Sequence, residues 1–526
     1  MASVVIGRLA TLLGGLAVAA TGFARPAYAD VAGARPWTAP ALRQWASAAG
    51  SYQLPSIVTV VVAPQDFELL GATADELAGT LGAATGRSVA VERRSSSPAT
   101  GEVHLKLGAG DPELGAEGYQ LMVGSAVVIR ANAATGVYYG TRSLLQLLHQ
   151  SPTIPAGVAR DWPRYAERGL LVDLGRKPYT YAWLADRIRE LGSLKLNRLH
   201  LHFTETLGWR IESSTPGVHS PGAFTHAQVR DLLDLATLHG VQIVPEVDMP
   251  GHLGAGLRNY PQFQLKNVLG QASAERLDYT NPQARAWAAG LVAEYADLFP
   301  GPDFHIGGDE FMPSAELLLH PQLQRYARTT YGSGATAKDG VIGFLNELGA
   351  QLRNRGKRAR VWNDGIGGGK VVRLHPATDV GWWTDISPLG DLVGLPTPQA
   401  LIDAGHRIVN HGWYPTYYTT VPLPPRPDVG YMYESWAVHR FHGAVYLNGD
   451  IGTPWHTVAP GEPANRGSLL NLWNDDPAAA MEAEDAVGIA PRLAVMAQKT
   501  WDTEPLVPTY AEFQGVVAAT AAGASS

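Results

Sequence analysis

Short apolar segments alternate with segments of helical length from about residue 164 almost to the end of the chain. This alternation predicts βα units around a parallel sheet, because parallel strands need a long crossover between them, usually a helix. The candidate strands are residues 169–174, 198–203, 241–247, 304–306, 359–362, 380–383, 407–410 and 469–473. Eight such units predict an α/β fold in which residues 161–517 form a (β/α)8 (TIM) barrel with long insertions.

Acidic side chains follow most of these candidate strands. They are Asp173, Glu205, Glu246, Asp248, Asp309, Glu310, Asp364 and Asp475. In a (β/α)8 barrel, the carboxyl ends of the strands form the face that carries active sites. We therefore expect these carboxyl groups to gather on one face.

The segment HIGGDE at residues 305–310 places two adjacent acids after an apolar strand and two glycines. Neighbouring carboxylates resist joint ionisation. An enzyme that breaks glycosidic bonds needs two carboxyl groups of different pKa, because one acid must hold a proton while the other stays charged. The alternative interpretation is that Asp309 and Glu310 cap a following helix, since acids favour helix N-termini.

Residues 30–160 are predicted to form a smaller α+β accessory domain with a packing role. Strands are expected at residues 57–62, 103–107, 117–123 and 126–131, and helices at residues 73–84 and 136–148. Thr73 and Glu76 have the spacing of a capping box at the start of the first helix. The low-complexity residues 518–526 are expected to form a disordered tail.

Residues 1–29 have the pattern of an export signal. Arg8 precedes an apolar run over residues 9–23, and AYA at residues 27–29 fits a cleavage site before Asp30. We therefore expect a secreted protein cleaved near Ala29 and Asp30, with a retained anchor as the alternative. No other segment is predicted to span a membrane.

Composition narrows the possible partners. The net charge is −7, which gives no basic surface for nucleic acid. Cysteine is absent, which excludes disulfides and cysteine-ligated metals. The 14 Trp and 20 Tyr residues suit either sugar faces or a protein core.

Several motifs together resemble glycoside hydrolase family 20, the β-N-acetylhexosaminidase family. They are RGLLVDLGR at 168–176, LNRLHLHFTETLGWRI at 196–211, VPEVDMPGH at 244–252, HIGGDE at 305–310 and VWNDG at 361–365. EGYQLMV at 117–123 and GVYYGTRSLLQLL at 136–148 resemble that family's accessory domain. The resemblance implies a glycan substrate with a β-linked N-acetylhexosamine, and no metal or organic cofactor.

The resemblance also implies substrate-assisted catalysis, in which the substrate's 2-acetamido oxygen attacks the anomeric carbon. Glu310 would be the general acid and later the base, and Asp309 would orient the acetamido group. Arg176 would hold sugar hydroxyls, and His252 would contact the catalytic acid. Glu205 stands where most members have Asp, so its link to His252 requires a shifted backbone or rotamer.

Aromatic residues are expected to wall the sugar subsite. Trp362 and Trp383 match tryptophans that pack around the acetamido methyl group, and Trp473 resembles the one that stacks on the sugar. Trp436 is a further subsite candidate, whereas Trp382 is expected in the core.

Tyr417 is the candidate donor to the acetamido carbonyl, with Tyr418 as its rival. Asp475 stands where many members have a Glu that binds the terminal sugar. DLGRK, HFTE, LNLWNDD and the tyrosine-rich residues 413–418 resemble the lacto-N-biosidase branch, which releases galactosyl-β-1,3-N-acetylglucosamine. Three functions are therefore open: an exo-hexosaminidase, a lacto-N-biosidase, or an inactive carbohydrate-binding protein.

Overall fold

The computed structural model describes residues 35–312, 316–385, 395–420, 428–443, 456–501 and 504–521. The expected export signal and residues 522–526 of the expected tail lie outside these ranges. Within these ranges, no helix combines the length and the hydrophobicity that crossing a membrane requires.

The accessory domain is built on a seven-stranded sheet. Its strands are β1 (Gln44–Gln53), β2 (Ile57–Val62), β3 (Ser88–Arg93), β4 (Val103–Leu107), β5 (Tyr119–Val123), β6 (Val127–Ala131) and β7 (Thr153–Asp161). Their order is β1-β7-β5-β6-β4-β2-β3. Helices α1 (Phe67–Thr85) and α2 (Ala134–Gln150) supply residues to the core against the sheet.

Helix α1 begins earlier than the capping box predicted. It starts at Phe67, and Thr73 lies inside it at 5% exposure, so the interpretation of Thr73 as a cap was wrong. Strand β7, inside the sheet, was not predicted, and neither were the edge strands β1 and β3. Both edge strands are mostly exposed, so they lack the apolar pattern that marks a strand in sequence.

The second domain is a closed parallel barrel, which confirms the predicted fold. Its strands are β8 (Glu167–Asp173), β9 (Arg198–His202), β10 (Gln242–Glu246), β13 (Asp303–His305), β14 (Arg358–Trp362), β15 (Asp379–Trp382), β16 (Ile408–Asn410) and β20 (Asn465–Trp473). They pair in chain order, and pairing of β16 with β20 closes the ring. Each corresponds to one predicted strand.

The remaining elements lie around the barrel or in its loops. The helices are α3 (Tyr181–Ser193), α4 (His226–Leu238), α5 (Gly254–Leu257), α6 (Pro282–Leu298), α7 (Pro321–Tyr331), α8 (Ala337–Asn354), α9 (Pro398–Asp403), α10 (Trp413–Thr416), α11 (Val429–Glu434), α12 (Glu482–Trp501) and α13 (Tyr510–Thr520). The short strands are β11 (Gln264–Lys266), β12 (Ala272–Leu277), β17 (Tyr417–Thr419), β18 (Arg440–Phe441) and β19 (His456–Thr457). Helix α13 extends to Thr520, so residues 518–520 are helical rather than part of a disordered tail.

Buried ion pairs lie inside the barrel at the amino ends of its strands. Arg360 donates to both carboxylate oxygens of Glu167, at 2.7 and 2.9 Å, and lies 3.0 Å from Asp303. Arg407 binds Asp379 with two nitrogens. These acids begin three barrel strands, so their charges are neutralised in the interior at this end.

A second buried group joins the accessory domain to the barrel. Lys195 Nζ lies 2.9 Å from Asp161 Oδ2 and donates to the Tyr119 hydroxyl at 2.7 Å. The Trp501 indole, at the end of α12, donates to Asp161 Oδ1 at 2.8 Å and belongs to the accessory-domain core. The two domains therefore share buried charges and hydrophobic surface.

Candidate active site

The loop after β13 brings the two adjacent acids to the carboxyl end of the barrel. Gly307 and Gly308 have φ of +69° and +104°, a region that favours glycine. A Cβ on Gly307 would lie 1.6 Å from Asp248 Oδ1, so a side chain cannot fit there. Gly308 N–H instead donates to that oxygen at 2.9 Å, which ties the loop to the end of β10.

Asp309 and Glu310 have unequal surroundings. The Asp309 side chain is 15% exposed, whereas that of Glu310 is 57% exposed. His252 Nε2 lies 3.6 Å from both Asp309 Oδ2 and Glu310 Oε2. Partial burial and the charge of Asp309 raise the pKa of Glu310, which favours the protonated form expected of a general acid.

Glu205 links the loop after β9 to His252 and Arg176. Its Oε1 lies 2.8 Å from His252 Nδ1 and 2.6 Å from Arg176 Nη2, and its Oε2 accepts from Thr206 N–H at 2.8 Å. An added Cβ at Gly175 would lie 2.6 Å from Glu205 Cβ, so the two backbones approach closely here. The expected contact with His252 is therefore made by the longer Glu.

Opposing effects set the protonation of this pair. Burial favours neutral His252, but Asp309, Glu205 and Glu310 outweigh it and raise the pKa of His252 to about 10. Burial alone would raise the pKa of Glu205, but His202, His252 and Arg176 lower it well below its usual range. At neutral pH this is an imidazolium–carboxylate pair facing the two acids.

Two further carboxyl groups, expected on this face from the sequence but without an assigned role, contact the HIGGDE loop. Asp364 accepts from Glu310 N–H at 2.8 Å and from the Trp383 indole at 2.9 Å. Burial and the charge of Asp309 raise the pKa of Asp364 to about 7, and they also raise the pKa of Asp248 above its usual range. Their positions after strands were the available sequence signal.

An aromatic cluster packs beside the acids. It contains Trp362, Trp383 and Trp473 together with Tyr417. The Tyr417 ring centroid lies 6.4 Å from that of Trp383 and 6.0 Å from that of Trp473. The structure therefore brings four of the predicted aromatic site residues together.

The register of strand β17 against β20 distinguishes the two candidate tyrosines. Tyr417 opposes Asn471 at the end of β20 and stays partly exposed. Burial raises the pKa of Tyr417, and the charges of Asp309, Glu310 and Asp364 raise it further. Tyr418 instead lies 3% exposed against helix α12, with the Arg492 guanidinium 5.1 Å from its ring centre. Tyr417 is the tyrosine on the site side.

The other predicted site residues lie in different surroundings. Trp436 is 1% exposed in the main hydrophobic core, and its indole donates to the Arg440 carbonyl at 3.2 Å, so the structure does not place it with the aromatic cluster. Trp382 is fully buried, as expected for core. Asp475 is exposed just after β20, near Arg176, whose guanidinium lies 5.7 Å from the Trp473 ring centre.

Within the part of the chain that the structure describes, three groups of side chains bring potential metal-binding atoms within 4.8 Å of one another. Two contain Glu246, and the third consists of Asp248, His252 and Asp309. We assign no metal to them, because neighbouring imidazoles or hydrogen-bond donors already face their carboxylates. The expectation of catalysis without a metal stays a prediction.

The fold and the site together define a class of protein: a barrel enzyme with unequal carboxyl groups beside an aromatic pocket, as glycosidases have. The model of the catalytic domain of glycosyl hydrolase family 20 matches residues 165–503, and domain 2 of that family matches residues 36–162. The chain belongs to glycosyl hydrolase family 20.

Curated relatives agree with this assignment, and solved structures share the fold. The chain is 27% identical over 510 residues to a lacto-N-biosidase of Bifidobacterium bifidum, covering 96% of this chain but 43% of that relative. It is 28% identical to a β-N-acetylhexosaminidase of Cellulomonas fimi, covering 88% of each chain. The β-N-acetylhexosaminidase structure from Bacteroides fragilis matches with a TM-score of 0.70 and 22% identity, covering 92% of this chain and 94% of that one.

Proposed function

We propose that this enzyme removes terminal β-linked N-acetylhexosamine from glycans with retention of configuration, using the substrate's own acetamido group as nucleophile. The observation that carries the proposal is the unequal pair Asp309 and Glu310, which shares one His252 and lies beside Tyr417. Such an arrangement offers one proton donor and one charged acceptor at the same sugar.

In the first step, the Glu310 carboxyl group gives its proton to the glycosidic oxygen as the bond to the anomeric carbon breaks. The acetamido carbonyl oxygen forms the new bond to that carbon, which gives a bicyclic oxazolinium ion. Asp309 accepts the acetamido N–H, and its negative charge stabilises the positive charge that develops. The Tyr417 hydroxyl donates to the carbonyl oxygen and aligns it for attack.

In the second step, the Glu310 carboxylate takes a proton from a water molecule. The water oxygen bonds to the anomeric carbon and the oxazolinium ring opens. Two inversions at that carbon restore its original configuration. Glu310 ends the cycle protonated, as it began.

A lacto-N-biosidase activity is the second candidate. Asp475 stands where many members have the longer Glu, and it is exposed near Arg176, so its shorter side chain favours a subsite larger than one sugar. The match over 96% of this chain to a lacto-N-biosidase points the same way. The intact acids and His252 support catalysis rather than simple carbohydrate binding.

Aryl glycosides distinguish these functions. Wild-type enzyme is assayed on aryl N-acetyl-β-glucosaminide, aryl β-lacto-N-bioside and chitobiose, with Glu310→Gln as the inactive control. Release from the first or third substrate supports the hexosaminidase, and release from the second alone supports the biosidase. No release from any of the three by wild-type enzyme would reject both activities.

We also propose that the protein is exported and cleaved before Asp30. Support comes from the sequence of residues 8–29: a basic residue, an apolar run and a small-residue site. N-terminal sequencing of the protein recovered from the culture medium should start at Asp30. Retention in the membrane fraction with an intact N-terminus would contradict the proposal.

A further inference from the structure

Glu246 is a fully buried carboxylate that the catalytic scheme above does not use. It ends β10 and opposes His202 on β9 and His305 on β13. Its Oε2 lies 2.8 Å from His202 Nδ1 and 3.0 Å from His200 Nε2. Removing a carboxylate from water is costly, so its neighbours must compensate the charge.

The first of two connections runs from Glu246 to the aromatic cluster. The Trp362 indole N–H donates to Glu246 Oε1 at 2.7 Å. Trp362 is 2% exposed and packs with Trp383 and Trp473. The carboxylate therefore fixes the rotation of one ring of the proposed acetamido pocket.

The second connection runs through His202 to the proton-handling groups. While His202 Nδ1 faces Glu246, His202 Nε2 lies 3.6 Å from Glu205 Oε1. The same Glu205 oxygen contacts His252, which faces Asp309 and Glu310. The edge of the His202 ring also meets Trp473 at 5.2 Å between ring centres.

The signs of charge alternate along this path. Burial alone would raise the pKa of Glu246, but His305 and His202 outweigh it and lower the pKa well below its usual range. Burial opposes the charge of His202, but Glu246, Glu205 and Asp173 raise its pKa well above the usual range. A charged imidazolium thus lies between two buried carboxylates.

Other titratable groups face this imidazolium. Asp173 opposes His202 on β8, and Arg176 neutralises both Asp173 and Glu205. His200 shares the Glu246 carboxylate, and burial lowers the pKa of His200 to about 4, so it is neutral near pH 7. His202 is therefore the imidazolium that Glu246 directs towards Glu205.

We propose that Glu246 and His202 are positioning residues for hydrolysis: Glu246 fixes Trp362 and, through His202, holds the Glu205–His252 pair in place against the two catalytic acids. This inference rests on the proposed function. It assigns one buried carboxylate to both halves of the site, the aromatic pocket and the proton-handling groups.

The test compares Glu246→Gln, Glu246→Asp and His202→Gln with wild-type enzyme. Glu246→Gln keeps an acceptor for the Trp362 indole but removes the charge that does most to raise the pKa of His202, so His202 should lose its proton at a lower pH than in wild type. We expect kcat to fall about 10- to 100-fold, the usual cost of losing an outer-shell partner of a functional group. KM should change less than kcat.

The pH profile separates this role from a general loss of stability. In Glu246→Gln, kcat should decline further as the pH rises through the titration of His202, a step absent from wild type. Glu246→Asp keeps the charge and should retain the wild-type shape. His202→Gln, which has no charge to lose, should have low kcat without the added step.

His200→Asn is the matched control, because His200 contacts the same carboxylate but not Glu205. Its pH profile should keep the wild-type shape even if its melting temperature falls. A folded Glu246→Gln with wild-type kcat and pH profile would overturn the inference, and if that variant does not fold, His202→Gln with wild-type kcat would do so. Absence of wild-type activity on all three substrates would instead reject the proposed function.

Discussion

At the amino ends of the barrel strands, buried carboxylates face guanidinium groups, whereas at the carboxyl ends many of them face imidazoles or one another. Glu167 and Asp303 share Arg360, which keeps its charge across the physiological range. Asp309 instead shares His252 with Glu310 and raises the pKa of Asp364. The charges shared by Glu167 and Arg360 therefore stay fixed, since Arg360 and Arg198 lower the pKa of Glu167, whereas the acids at the carboxyl end include groups that can gain or lose a proton near neutral pH.

This difference predicts that residues at the amino ends of the strands mainly determine stability, whereas residues at the carboxyl ends mainly determine catalysis. Substitutions at the amino end should change the free energy of unfolding and leave turnover by the folded enzyme intact. Substitutions at the carboxyl end should do the reverse. The following predictions test that separation, beginning with the largest expected effect.

Glu310→Gln should lower kcat by about 10²- to 10⁴-fold, because amide nitrogen cannot supply the proton that the leaving oxygen needs. A thiazoline analogue of N-acetylglucosamine, which mimics the cyclised intermediate, should still bind measurably in calorimetry. The melting temperature should stay near that of wild type. Unchanged turnover would refute the assignment of Glu310 as the acid.

Glu167→Gln should destabilise the protein by about 3–5 kcal/mol, because it leaves the buried Arg360 without its main partner. Urea unfolding measures this loss, and kcat per folded molecule should change by less than about twofold, as expected far from the reacting atoms. A large drop in kcat with unchanged stability would break the proposed separation.

The pKa of Glu167 also predicts the direction in which stability changes with pH. Burial works to raise the pKa of Glu167, but Arg360 and Arg198 outweigh it and lower the pKa. A depressed carboxyl pKa stabilises the fold above the unfolded value of about 4.3, and this contribution disappears as the pH falls further. Wild type should therefore lose more stability than Glu167→Gln in acid.

Tyr417→Phe should lower kcat by about 10²- to 10³-fold, the usual cost of removing one donor to a developing charge. Tyr418→Phe is the matched control, since that ring packs against helix α12. Its kcat should remain close to wild type. Equal losses in the two variants would mean that packing, rather than donation by Tyr417, matters.

Trp436→Phe should have the smallest effect on catalysis. It leaves a cavity in the core and should cost about 1–3 kcal/mol of stability, while KM stays near wild type. Trp473→Phe, in the aromatic cluster, should raise KM instead. A raised KM in Trp436→Phe would indicate that Trp436 belongs to the sugar subsite.

The sequence was enough to predict the barrel because short segments rich in apolar residues alternate there with segments of helical length. Asp309 and Glu310 could be placed on the active-site face because they follow a strand, whereas His252 and Arg176 were placed beside them by the resemblance to glycosyl hydrolase family 20. Strands β1, β3 and β7 were not predicted, and the exposed edge strands β1 and β3 contain few of the large apolar residues that mark a strand in sequence.

Side-chain direction was the main limit of the sequence analysis. Trp436 has the residue type of a sugar platform but points into the core. The choice between Tyr417 and Tyr418 depended on the register of β17 against β20. Glu246 and His202 could not be given a role, because a strand pattern does not show which buried groups touch across a barrel.

The indole of Trp501 has a practical consequence for anyone who wishes to produce the catalytic half by itself. Without residues 35–162, that ring would lose the accessory-domain core, and Lys195 and Arg168 would lose Asp161 and Glu117 as partners. A barrel produced alone would expose hydrophobic side chains and unpaired charges, and it should aggregate. The smallest part of this enzyme that should fold independently therefore contains both domains. A chimaera made with a related enzyme should exchange the two domains together.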